Sequence, residues 1–338
     1  MQMTQENRHT TPFVYKLAAG ILLLIGTCIA ALILGAADTS FLDVWLAFTS
    51  EASGSASEMI REIRLPREMA AIVVGAALSV SGAIMQGITR NPLADPGLLG
   101  LTAGAKAALA VATVWIPSVG YFGTTVACFA GAAAGALLVF GIGALRKGGF
   151  APFRIVLAGA SVSALLLAFA EGIGIYYKIS KEISMWTAGG LIGTTWSQLQ
   201  VIVPFITAGI LVSLLLSRQL TILSLSEEVA VGLGQKIVPI KMILFAVIIV
   251  LAGAAVAIVG NLAFIGLLVP HVARGIVGED YRLIIPMSAV SGAVLMLAAD
   301  TLGRTLHAPY ETPVAAIVAI MGLPFFLWIV RKGGSAVS

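Results

Sequence analysis

The chain is short of almost everything a catalyst uses. Of its 338 residues only 11% are charged, and it holds two cysteines and three histidines. The histidines, His9, His271 and His307, lie far apart, and no GxxxxGK[ST], HExxH or GxSxG occurs. Phosphate-loop ATP binding, zinc hydrolysis and serine-elbow chemistry therefore have no residues to stand on. The chain reads as a non-enzyme that binds no cofactor or metal of its own. Cys28 and Cys128 sit about a hundred residues apart inside apolar runs, where a thiol acts as a small hydrophobe and supports neither a disulfide nor a metal site. Linkers and low-complexity tracts are missing, although Ser50 to Ser57 reads as a polar external loop. No repeat relates the two halves, which speaks against the inverted-repeat carriers.

What is present is apolar. Hydrophobic residues make up 59% of the chain, with a mean hydropathy of +1.02, far above soluble domains. The fold class expected is an all-α integral membrane protein forming one domain over residues 1–338. Ten runs are candidate spans of a bilayer about 30 Å thick: Leu17 to Ala37, Met69 to Thr89, Gly97 to Trp115, Tyr121 to Leu145, Ala151 to Tyr177, Trp196 to Leu216, Val238 to Val259, Leu262 to Val277, Leu283 to Leu302 and Thr312 to Val330. The first is too long for a signal-peptide core and reads as a retained span. With the N-terminus inside, Lys and Arg concentrate in the inner segments, and Arg61, Arg64, Arg67, Lys178, Lys181 and Arg304 fall outside. The positive-inside rule then places both termini in the cytoplasm, residues 1–16 being a cytoplasmic tail. The net charge of +4 follows from this asymmetry and calls for no nucleic acid.

Close packing is written into small residues. Gly131 with Gly135, Gly75 with Ser79 and Gly253 with Ala257 have the small-xxx-small spacing that lets helix backbones approach in lipid. Ionisable groups inside spans are few. Lys106 falls within span three, where it either faces other helices or snorkels to an edge. Glu171 and Asp300 are the carboxylates an ion-coupled carrier would use, although a helix-packing or vestibule role is the favoured reading of each. No channel filter or charged ring is evident.

Leu220 to Gly234, reading LTILSLSEEVAVGLG, lies between spans six and seven on the cytoplasmic side. Ser224 and Glu227 fit a capping box, Glu227 and Glu228 fall in the first turn of a short helix, and Gly232 and Gly234 supply stops. Such a helix suits docking; the alternative is a solvated turn with no partner. A transporter without an ion site or an ATP site must take its energy from a partner docked on this side.

Three blocks carry a resemblance over nearly the whole chain: IRLPREMAAIVVGAALSVSGAIMQGITRNPLADPGLLG (Ile63 to Gly100), FIGLLVPHVAR (Phe264 to Arg274) and ADTLGRTLHAPYETPVAAIVAIMGLPFFL. They resemble the permeases of binding-protein-dependent ATP-driven importers of iron-siderophores, haem and vitamin B12. The resemblance implies ten helices and a dimer with an identical or paralogous second permease. It also implies two ATP-binding subunits that use ATP and Mg, an extracytoplasmic substrate-binding protein, and residence among the lipids of a bacterial cytoplasmic membrane. It makes 220–234 the ATPase-coupling loop, with Glu227, Glu228, Ala230, Leu233 and Gly234 matching LSLGEExAxxLG and Ser226 replacing its usual glycine. Arg64, Arg67 and Arg304 match arginines that present themselves to acidic residues on the binding protein; the alternative is anchoring of helix ends. Span five, with Gly159, Ser161, Ser163 and Glu171, would line the pathway. Thr312 and Ala315 depart from the pattern at the start of span ten. The RNPLADPG stretch, with Asn91, Pro92, Pro96 and Gly97, breaks the chain between spans two and three. His271 reads as a packed, hydrogen-bonded group beside Pro270. The expected cargo is a ferric siderophore, with haem and cobalamin as alternatives within the family. The rival from another class is an ion-coupled secondary transporter using Glu171 or Asp300.

Overall fold

The computed structural model describes residues 12–35, 39–49, 54–116, 118, 120–144 and 152–333. The first eleven residues with Arg8, part of the Ser50 to Ser57 loop, and the Arg146–Lys147 pair lie outside the described residues. All regular structure described is helical: α1 (Phe13–Ile33), α2 (Phe41–Thr49), α3 (Ser55–Met59), a π turn (Ile60–Arg64), α4 (Leu65–Thr89), a 3-10 turn (Pro96–Leu99), α5 (Leu101–Trp115), α6 (Tyr121–Ala144), α7 (Pro152–Tyr176), α8 (Ser180–Ala188), α9 (Trp196–Leu215), α10 (Ser217–Leu225), α11 (Glu227–Gly232), α12 (Ile237–Val259), α13 (Ile265–Val277), α14 (Tyr281–Thr305) and α15 (Val314–Gly333). Seven helices are long and apolar enough to span a membrane, and three shorter apolar helices accompany them. Together they correspond one to one with the ten expected runs.

Two boundaries differ from expectation for physical reasons. The second span does not begin at Met69, because helix runs continuously from Ala56 to Thr89. Arg61, Arg64 and Arg67 are thus helical residues and not part of an outer loop. The π turn adds a residue to the helical ladder at the arginines, directly before Pro66, whose missing N–H interrupts the α ladder of this continuous helix. The third and eighth spans are shorter than expected because both helices start inside the bundle. After α4 the chain folds back: a methyl group built on Gly266 would lie 3.1 Å from the Leu78 carbonyl oxygen and 3.3 Å from Pro96 Cδ. Leu78 is about halfway along α4, so α5 and α13 set out from mid-depth.

The core is α4 itself. Twenty of its residues are buried, and it packs against α14, α12, α13 and α9. In lipid the association of helices rests on backbone approach, and the sequence supplies it. A side chain at Gly75 would strike the backbone of Gly292 and the Met296 Cβ. Gly131 and Gly135 of α6 lie against Gly104 of α5 in the same way. By contrast Gly253 meets Ala132 and Phe129 at ordinary separations. The α5, α6 and α7 helices form a second group that touches the first mainly through α12 against α6.

Candidate functional site

Three polar sites stand out in a bundle with few charges. The first is the loop between α9 and α12. Ser226 is the N-cap of α11: its backbone is extended, and its Oγ accepts the Val229 N–H at 3.0 Å. The expected capping residue, Ser224, instead belongs to α10 and donates to the Thr221 carbonyl at 2.7 Å. The correction is a register shift of two residues, since Glu227 is the first helical residue and a cap must precede it. At the other end Gly234, at φ +77°, donates to Val231 O, and Gln235 donates to Ala230 O. This is a Schellman close on a left-handed glycine. Gly232 is the last helical residue and Gly234 makes the stop.

The surface of α11 divides sharply. Ala230 is fully buried, while Leu225, Val231 and Leu233 are more than 60% exposed and Glu228 faces outward. Glu227 is half-exposed and paired. Its Oε1 receives Lys241 Nζ at 2.6 Å and Arg90 Nη2 at 3.4 Å. The Lys241 hydrogen bond holds the Glu227 carboxyl below its usual range, assisted by the charges of Lys241 and Arg90. Arg90 is the C-cap of α4 in the left-handed region, after which Asn91 Oδ1 accepts the Leu93 N–H and Asp95 Oδ1 the Gly97 N–H.

The second site lies at the opposite end of α4. Arg67 forks onto Asp300 through Nε and Nη2 (2.9–3.1 Å) and onto Glu311 through Nη1 and Nη2 (both 2.8 Å). Arg304 reaches Asp300 at 3.3 Å and Glu68 at 3.8 Å. Arg64 donates to the Leu32 and Ile33 carbonyls and to Thr39 Oγ1. All three arginines are less than 10% exposed. Carboxylates and carbonyls of this same chain enclose the three arginines that the resemblance assigns to the binding protein. Three guanidinium groups meet three carboxylates, which is how charge survives burial. Glu311, with a side chain 29% exposed, is the carboxylate of the three that solvent reaches. Asp300 is fully buried between two arginines.

The third site is a cavity of about 420 Å³ where the starts of α5 and α13 meet α7. Asp95, Lys106, Ser163, Thr187, Asn261 and Phe264 line it. Lys106 does not snorkel; it is 7% exposed and pairs with Glu171 at 2.8 Å. Of the four residues expected on the pathway, Ser163 lines the cavity, while Ser161 and Glu171 are exposed. Gly159 is a packing position, because a methyl group there would collide with the Leu98 carbonyl. His271 packs edge-on against the Phe325 ring at 5.5 Å. Sequence reasoning passed over Glu68, Glu311 and Lys241. The available signals were a carboxylate directly after Arg67, another before Pro313, and a lone lysine one turn into a span.

Residues 22–332 match the FecCD transport family. The chain is 42% identical to the iron(3+)-hydroxamate import system permease protein FhuB of Bacillus subtilis, over 97% of this chain and 86% of that one. It is 39% identical to the hemin transport system permease protein HmuU of Yersinia pestis, over 92% of this chain and 94% of that one. Among solved structures it is similar to an inward-facing metal-chelate type ABC transporter, with a TM-score of 0.83 at 27% identity, covering 94% of this chain and 99% of the other. Helix count, the three patterned blocks and these likenesses agree, and the chain belongs to the FecCD transport family.

Proposed function

We infer that the chain is the membrane-spanning permease subunit of an ATP-driven importer of ferric siderophores. The observation that carries this is α11: a capped helix between two spans that leaves Leu225, Val231 and Leu233 exposed in a chain with no ATP site. Exposed apolar residues rimmed by charge mark a protein contact. Two such chains, identical or paralogous, form the pathway, and two ATP-binding subunits dock on the α11 side in the cytoplasm, where both termini also lie. The residence is a bacterial cytoplasmic membrane. The likeness to the hydroxamate permease supports an iron-siderophore cargo; the likeness to the hemin permease keeps haem as the second reading.

On the outer side the arginine cluster receives the binding protein by exchange of partners. A carboxylate on a lobe of that protein takes the place of Glu311 on Arg67, and Arg64 and Arg304 hold the surrounding frame. The 420 Å³ cavity, with Ser163 and the Lys106–Glu171 pair beside it, belongs to the conduit.

The test is uptake of radiolabelled iron, offered as catecholate and hydroxamate complexes, in cells with and without this protein and with its ATPase intact or inactivated. Loss of one iron complex in both arms is the expected result. Loss of labelled haem or cobalamin instead would change the cargo, and uptake that survives ATPase inactivation would overturn the mechanism.

A further inference from the structure

The two adjacent glutamates of α11 do not share an environment. Glu228 faces solvent and, among the described residues, makes no ion pair. Glu227, itself half-exposed, is tied to Lys241, whose side chain is 10% exposed, and to the half-exposed Arg90. Around this trio a small space of about 30 Å³ is walled partly by Ile88, Ile155 and Phe245. For Glu227 to engage an ATPase it would have to abandon an ammonium in those surroundings. A Glu227 that turned to an ATPase would leave the largely enclosed Lys241 ammonium without its carboxylate, which opposes that use of it.

The same geometry suits a different task. Arg90 ends α4, the fully packed central helix, and Lys241 lies in the first turns of α12. One carboxylate oxygen thus fastens α11 to both. A parallel tie anchors α10: Thr221 Oγ1 donates to Asp280 Oδ1 and accepts the Tyr281 N–H, each at 3.0 Å, at the start of α14.

We propose that Glu227 is a positioning residue, a strut joining the coupling helix α11 to α4 and α12, and that Glu228 with Val231 and Leu233 forms the docking face. The proposal rests on the reading of α11 as the ATPase contact. Displacement of α11 then carries α4 and α12 with it, and loss of the strut leaves the ATPase attached to a helix that moves alone.

The experiment uses the assembled complex of this chain, its ATPase and its binding protein. Glu227→Gln, Lys241→Met and the double variant are compared with Val231→Glu; the double variant leaves no buried ammonium and so guards against misfolding. Co-purified ATPase per permease reads docking, and stimulation of ATP hydrolysis by the binding protein reads transmission. The expected result is full ATPase retention with stimulation lowered about 5-fold or more in all three strut variants. The double variant should be no worse than the singles, as for two groups acting as one unit. Val231→Glu should lose the ATPase. Loss of ATPase in the double variant, or undiminished stimulation, would overturn the proposal. If the unaltered chain retains no ATPase, the importer reading itself has failed, a result separate from any difference among the variants.

Discussion

Asp300 accepts Arg67 and Arg304 with no exposed surface, and it makes the sharpest prediction at the scale of single residues. Asp300→Asn leaves two buried guanidinium groups short of one charge, and a loss of about 3–5 kcal/mol follows from breaking a buried pair on one side. Thermal unfolding of the detergent-solubilised protein measures it. Glu311 behaves oppositely because solvent reaches it. Glu311→Gln removes the group that competes for Arg67, so the binding protein should bind up to about 5-fold more tightly, the equivalent of about 1 kcal/mol. Weaker binding would mean that Glu311 itself contributes to docking. At the inner end, the Glu227 carboxyl titrates below its usual range. A depressed carboxylate stabilises the folded state above the unfolded value and loses that stability as pH falls through the folded one. Amide-exchange protection of α11 should therefore stay flat from about pH 8 to about pH 5 and fall only below about 4.3. A decline near neutrality would contradict the Lys241 pairing.

Among elements, α11 and the α5–α6 pair show how short stretches set geometry. Ser226 caps α11. Ser226→Ala should cost about 0.5–2 kcal/mol of local helix stability and Ser226→Gly only a few tenths, read as exchange of the Val229 amide. Ser224→Ala leaves that amide unchanged, since Ser224 bonds within α10. In the α5–α6 crossing, Gly104→Leu forces the helices apart at Gly131 and should cost about 1–3 kcal/mol. Gly26→Leu on α1 meets nothing within 4 Å and should be neutral in the same unfolding measurement. The small-residue spacings on α4 and α6 were legible because close approach in lipid admits few residue types. The cap was misplaced because two serines lie within reach of the same acidic pair, and only backbone conformation chooses between them.

For the molecule as a whole, the ten spans were legible because lipid demands long apolar runs and satisfied backbones. The fold-back that shortens α5 and α13 was not, since it depends on Pro96 meeting Gly266 across the chain. The arginine cluster was half legible. Its arginines were marked by pattern, but their partners lie 233 and 244 residues away from Arg67. The same cluster and the α11 strut sit at the two ends of one continuous helix, Ala56 to Thr89. From Ile63 to Thr89 it should span about 39 Å at 1.5 Å per residue. Spin labels at the exposed Ile63 and at the exposed Asn91, just past the helix end, should report a separation unchanged by nucleotide; shortening would show that the rod bends. A rod of this kind works as a lever: a tilt of about 5° at one end displaces the other by about 3 Å. On the proposed reading, the ATPase end can then register what has settled on the binding-protein end without a relay of intermediate residues, and any substitution that softens the rod should deafen both ends together.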